Sequence, residues 1–211
     1  MELKSLLKNK FIWAFVIIAA ALVLLNIRWG NDPVENRPLD LNDTNVLMEF
    51  VKKEISHEIE FALYGKFRAD TTKRIIAAEE ISNEKEWGIK FRLFDVVGDT
   101  VKQIYETILL DGSLRESQIV PLELTGINHN LLYYNSGNYF MGSGGGEVFA
   151  YIIDLEKESV NYGHLVLARQ VPKGGLFLSP KNEKSISEFL TVEFKREYPG
   201  LRTIEKDIAL E

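Results

Sequence analysis

The sequence predicts an α+β fold: an N-terminal transmembrane helix, then one domain with a mostly antiparallel sheet and flanking helices. Three observations carry this expectation. Residues 11–27 form an uncharged apolar run interrupted only by Asn26. Further on, stretches of two-residue apolar alternation lie between turn signals, as half-buried strands require. Two other stretches, after residue 43 and after residue 184, repeat their apolar residues at helical period.

With Trp29, the run reaches about 27 Å at about 1.5 Å per helical residue, near the short end of what spans a hydrocarbon core. A cleaved signal peptide would have a shorter apolar region, about 7–15 residues, followed by a small-residue cleavage site. Here Ala19-Ala20-Ala21 sits inside the run, and Leu22-Val23-Leu24-Leu25 continues beyond it. Residues 11–29 are therefore expected to be an uncleaved single-pass anchor in the bilayer. Lys4, Lys8 and Lys10 precede it with only Glu2 opposing them, whereas Arg28 and Arg37 follow among several acids. The positive-inside rule then leaves residues 1–10 as a cytoplasmic tail and places the rest outside, periplasmic or extracellular. Residues 30–43, with Pro33, Pro38 and charges of both signs, read as a linker. Residues 44–211 are left as one extracytoplasmic domain of common size.

Composition limits what that domain can do. A 45% hydrophobic, 11% aromatic chain supports a packed core and does not have the make-up of a disordered one. The whole chain carries −6; residues 1–10 contribute +2 and Arg28 +1, so the outer part carries −9. Such a surface is a poor partner for nucleic acid, whose binding needs cationic contacts to phosphate. The sequence has no Cys, which excludes disulfides, thiolate catalysis and Cys-ligated metals.

Along the chain, Asn42, Asp43 or Thr44 caps a helix whose stripe is Leu47, Val51, Ile55 and Ile59, ending near Gly65. Lys73–Ile81 fits helix or strand. Trp87, Ile89, Phe91 and Leu93 alternate cleanly with Gly88, Lys90 and Arg92 as a strand. Gly98-Asp99 supplies a hairpin turn. Val101, Ile104, Tyr105, Ile108 and Leu109 have helical spacing, but the turn favours a returning strand. Gln118–Leu124 is a short strand that Pro121 assigns to an edge. Val148–Leu155, apolar on both faces, reads as a central strand, and Val160–Ala168 returns from it. Gly174-Gly175 and Pro180 mark a loop. Ser185-x-x-Glu188 forms a capping box before a helix bearing Ile186, Phe189, Leu190 and Phe194, which Tyr198-Pro199-Gly200 ends. The tail from Leu201 either adds a short strand or lies loose.

No catalytic motif meets its spacing. Gly142-Ser143-Gly144-Gly145-Gly146-Glu147 lacks the Lys of a phosphate loop, and Glu147 replaces the third Gly of a dinucleotide fingerprint. Met141 stands where a nucleophile elbow needs its first Gly. The run therefore reads as a turn or bulge, or a close backbone approach. His57, His129 and His164 are not at ligand spacing, and no cofactor or metal is expected. Tyr133, Tyr134, Tyr139 and Phe140 adjoin the glycines. They read as core packing or, together with residues 142–147, as the floor of a binding groove with aromatic anchors.

The C-terminal third resembles a known family. Gly144-Gly145-Gly146-Glu147, Phe149-Ala150 and Asp154-Leu155, then Val160 and Tyr162, then Ile186-Ser187-Glu188-Phe189-Leu190 are similar to the glycine-run strand, next strand and closing helix of the SUKH superfamily. The resemblance spans residues 139–194. It implies an α+β binding module without catalytic residues, a toxin-neutralising immunity protein or a signalling scaffold. The expected role is that of a membrane-anchored, non-catalytic accessory domain that binds another membrane or envelope protein. The alternatives are such an immunity protein, or an envelope hydrolase using paired carboxylates.

Overall fold

The computed structural model describes residues 41–55, 58–139, 145–167 and 174–205. The anchor at 11–29, the linker to residue 40, His57, Phe140, Gly142, Ser143 and Gly144 lie outside them. The strands are β1 (Phe61–Gly65), β2 (Arg74–Ser82), β3 (Trp87–Val97), β4 (Thr100–Glu106), β5 (Ser117–Leu122), β6 (Leu131–Tyr139), β7 (Gly146–Asp154), β8 (Ser159–Leu167), β9 (Gly174–Leu178) and β10 (Arg202–Glu205). Two helices accompany them, α1 (Thr44–Lys52) and α2 (Lys184–Glu197). The first sheet has the order β1-β2-β3-β4, and the second β10-β9-β8-β7-β6-β5. All neighbours are antiparallel except β9 and β10.

Three apolar clusters define four layers. Ile76, Ala78, Ile89, Phe91 and Leu93 of the first sheet meet Leu132, Tyr134, Tyr151, Ile153 and Tyr162 of the second in a shared core. On the far side of the first sheet, Ile75, Ala77 and Phe94 pack beneath Leu47, Phe50 and Val51 of α1. On the far side of the second, Tyr133, Ala150, Ile152, Leu165 and Leu176 pack beneath Ile186, Leu190 and Phe194 of α2. Because successive side chains of a strand point to opposite faces, a strand between two packed layers is apolar at every position, as β7 nearly is. Gly163 on β8 admits α2 closely: a Cβ there would lie 3.2 Å from both Leu190 Cδ1 and Leu178 Cδ2.

The expected α+β class, one mostly antiparallel sheet with flanking helices, is corrected; the N-terminal transmembrane helix expected at 11–29 lies outside the described residues. Strands take 48% of the described residues against 15% for helix, in a two-sheet sandwich faced by single helices. Among the described residues no helix is long and apolar enough to cross a membrane. One segment moves from expected helix to sheet. The helix opened by Asp43, whose carboxylate accepts from Asn45 N at 2.8 Å, stops at Lys52 rather than near Gly65. Phe61–Gly65 instead forms β1, paired with Ala78–Arg74. Ile59 and Ala62 are still buried with Leu47 and Val51, but from extended chain. In β4, the register slips opposite Leu93 and Phe94, so Ile104 is an extra residue in the ladder. Such a bulge lets Ile104 and Tyr105, adjacent in sequence, both pack against the inner cluster, which imitates helical spacing.

Two further local readings change. The capping box does not form: Glu183 is the N-cap of α2 and makes no side-chain cap bond. Instead Asn161 Oδ1 accepts from Glu183 N at 3.1 Å, and Asn182 exchanges bonds with both the N–H and the C=O of Tyr162. The start of α2 is thus fixed to β8 by amide side chains. Gly174-Gly175 opens β9 rather than a loop. A Cβ on Gly174 would lie 2.6 Å from the Val166 carbonyl oxygen, so the close pairing with β8 requires glycine.

The buried Arg74 at the start of β2 ties the 66–73 loop to the first sheet. Its guanidinium donates to both Asp70 carboxylate oxygens and to Asp95, each at 2.7 Å. The hydrogen bonds from Arg74 hold the Asp70 carboxyl at about 2, below its ordinary 3.8. A carboxyl depressed in the folded state stabilises it above the unfolded value, and that contribution is lost as pH falls from about 4 through about 2. Asp70→Asn should therefore lower the denaturation midpoint at pH 6 and leave it nearly unchanged at pH 2. An equal deficit at both pH values would show that the ion pair is not the cause.

Candidate functional site

Of the residues expected to form one binding surface, Phe140 and 142–144 lie outside the described residues, and Tyr133 and Tyr134 do not share a face. Tyr133 and Tyr134 are neighbours on β6 and so face opposite sides of the second sheet. Tyr133 lies beneath α2, with its ring edge-on to Phe189 at 5.8 Å. Tyr134 is fully buried between the sheets. Neither offers its ring to a partner, so the expected aromatic floor is corrected to core at both positions. Tyr139 pairs with Gly146, and Asn138 with Glu147, at the start of β7. Gly145 precedes that strand. Of the residues that carry the SUKH resemblance, Gly146–Asp154 lie on β7, Val160 and Tyr162 on β8 and Ile186–Leu190 on α2, with Gly145 and Leu155 flanking β7 and Gly144 outside the described residues.

Between the sheets runs a ladder of rings built by β3, β6, β7 and β8. Phe91 meets Tyr134 edge-on at 5.3 Å, Tyr134 stacks on Tyr151 at 5.8 Å, and Tyr151 meets Tyr162 at 4.9 Å. The hydroxyls at its buried end are fixed by the crossover from β4 to β5. Tyr151 Oη donates to Asp111 Oδ2 at 3.2 Å and accepts from Asp111 N at 3.0 Å, while Tyr134 Oη donates to the Asp111 carbonyl at 3.3 Å. Burial pushes the Tyr134, Tyr151 and Tyr162 hydroxyls above the ordinary phenol range, and the Asp111 carboxylate adds to the effect. They stay protonated, and those of Tyr134 and Tyr151 serve as hydrogen-bond donors.

The ladder continues outward. His164 of β8 stacks on Phe149 at 4.8 Å and lies 6.3 Å from Phe177 of β9. Its Nε2 is 3.1 Å from Glu147 Oε2, and both side chains keep about a fifth of their surface in water, 20% and 24%. Beyond them a groove of about 530 Å³ opens, lined by Val166, Gly175, Phe177, Arg202 and Ile204. By strand alternation these residues continue the inner face of the second sheet, past the ring ladder, towards its β10 edge. Val166 is 37% and Ile204 42% exposed, side by side on this face.

Sequence reasoning missed two arrangements. The first is this groove, whose residues come from positions 166–204 and meet only through sheet pairing. The second is a buried histidine–carboxylate pair, His129 Nε2 to Asp154 Oδ1 at 2.9 Å, between residues 25 apart in sequence. His129 Nδ1 lies 3.2 Å from Asn128 Oδ1, and Asp154 Oδ1 also accepts from Glu156 N and Lys157 N. Both ring nitrogens are engaged inside the protein, so the pair clamps the β7–β8 turn to the 123–130 loop rather than activating a nucleophile. Among the described residues no group of three or more acidic or histidine side chains could hold a metal ion.

The fold and site define an α/β/β/α sandwich with an apolar groove at one sheet edge. No protein-family model matches the chain, and neither a curated protein nor a solved structure matches it.

Proposed function

We propose that this protein is a membrane-tethered, non-catalytic accessory domain that docks another envelope protein. The groove of Val166, Phe177 and Ile204 carries the reading, because exposed contiguous apolar surface on a packed domain marks a contact site. The segment 11–29, with its apolar run of 11–27, supplies attachment to the bilayer, and the lysines before it set the orientation. A linker of about 14 residues keeps the domain within tens of ångströms of the membrane. Local concentration towards a neighbouring membrane protein then reaches about the millimolar range, so a small apolar contact suffices. A freely diffusing substrate would gain little from that tether.

Two measurements test the two halves of the proposal. Protease added to spheroplasts, or to intact cells that have no outer membrane, should degrade residues 30–211; a domain that survives until the inner membrane is permeabilised overturns the orientation. A photoreactive residue at Ile204 should form an adduct with one membrane or envelope protein. An adduct pattern no different from that of the same group at exposed Glu86 overturns the docking face.

A further inference from the structure

The groove is half of a larger feature. Among the described residues, β10 is the last strand of its sheet and pairs only with β9, in parallel. In a parallel strand the N–H and C=O groups of alternate residues point to each side. The groups on the far side of β10 therefore have no strand to pair with among the described residues. The opposite edge of the same sheet is β5, where Pro121 removes a donor and blunts the edge. β10 contains no proline.

A depression lies on each face of the sheet beside this edge. On the inner face is the groove of about 530 Å³ with Val166, Phe177 and Ile204. On the outer face, between β10 and α2, is a second one of about 380 Å³, lined by Leu178, Thr191, Val192 and Thr203. Val192 is 68% exposed there. Side chains alternate between faces along a strand, so a segment laid along β10 would set successive residues into one groove and then the other. At the rim of the inner groove Arg202 is exposed and has no carboxylate partner among the described residues.

A second copy of this chain fits poorly. Facing residues of an antiparallel pair share a face, so two β10 strands related by a twofold axis must pair residues of like parity. Centring on Thr203 sets Arg202 against Ile204; centring on Ile204 sets it against position 206, a lysine in the sequence. Neither gives Arg202 an anion.

Resting on the docking reading above, we infer that the β10 edge takes an extended segment of a partner protein by strand addition. The segment carries apolar residues at alternate positions and an acidic residue beside Arg202. Main-chain bonds to β10 supply affinity, and the two grooves with Arg202 supply selectivity.

Selection of a displayed random octapeptide library on the full-length protein in detergent tests this. Enriched peptides should alternate apolar residues and hold one Asp or Glu at a fixed place. Arg202→Glu should weaken a selected peptide about tenfold, and Lys in place of the peptide's acid should restore its binding to that variant. Arg202 is exposed, so an unchanged unfolding midpoint confirms that the variant folds. Amides on the far side of β10 should exchange more slowly with peptide bound. Peptides without a fixed acid, binding indifferent to the charge swap, or unprotected β10 amides overturn strand addition. Binding that rises when residues 206–211 are deleted also overturns it, because the edge then belongs to the chain's own tail. A partner adduct at Ile204 alongside these negative results leaves the docking face standing and removes only the mode. Peptides that bind as expected with no adduct at Ile204 overturn the docking reading alone.

Discussion

Gly112→Ala should destabilise the protein by about 2–4 kcal/mol, the sum of a left-handed backbone and an overfilled core. Gly112 has φ +119°, and a Cβ built on it would lie 2.2 Å from Tyr134 Oη and 2.6 Å from Ser136 Cβ. Neither neighbour can withdraw easily. The Tyr134 ring is held between Phe91 and Tyr151, and Ser136 Oγ accepts from Ser113 N at 3.0 Å. The position is where the chain crosses from the first sheet to the second. Leu110, two residues earlier, bridges Ile89 in both directions at 2.8 and 2.9 Å. Pushing the crossover outward would pull on both sheets. Gly126 provides the control, because it has φ +89° with nothing within 4 Å of a built Cβ. Gly126→Ala should cost only the backbone share, roughly 1 kcal/mol. Denaturant midpoints of the two variants decide the matter, and equal losses would show that the contact with Tyr134 contributes nothing.

Arg92→Ala should cost about 3 kcal/mol, the low end for breaking a buried ion pair. Arg92 sits on β3 with its side chain only 4% exposed, contacting Glu79 of β2 through Nη1 and Glu106 of β4 through Nε at 2.8 Å. Removing it leaves two carboxylates facing each other across one sheet. Glu79 is 15% exposed, while Glu106 at 34% regains part of its hydration and keeps Lys90 Nζ at 3.2 Å, which sets the magnitude at the low end. Much of the loss is thus the penalty of half-buried carboxylates deprived of their shared guanidinium rather than the worth of the pair. Arg92→Met in a Glu79→Gln, Glu106→Gln background should recover most of the stability. A loss in that triple variant as large as in Arg92→Ala would show that the guanidinium's packing, and not its charge, is what matters.

Residues whose local pattern matches one partner layer were readable in the chain. Trp87–Leu93 alternates because one face of β3 meets the second sheet and the other meets α1 and the ion pairs. Val148–Leu155 is apolar throughout because β7 lies between a sheet and a helix. Pro121 announces an edge strand, and Asp43 a helix start. The bulge at Ile104 and the conversion of residues 61–65 to strand were not readable. At 61–65 the apolar spacing fits a helix and only pairing with β2 decides against it; at 101–109 the Gly98-Asp99 turn favours the strand, but nothing local marks the bulge within it. Tyr133 and Tyr134 show the same limit for the site. Adjacency in sequence suggested one aromatic surface, but on a strand adjacency places two side chains on opposite faces.

The sequence by itself determined the apolar run at 11–27, the charge asymmetry around it, the absence of cysteine chemistry and most strand positions. These depend on composition and on short-range spacing, which are local properties. The tertiary structure alone decided that two sheets face each other, that a ring ladder joins them, and that Val166, Phe177 and Ile204 share a groove beside Arg202. Those facts depend on which strands neighbour one another, and residues from β8, β9 and β10 meet only through backbone pairing that no local pattern encodes.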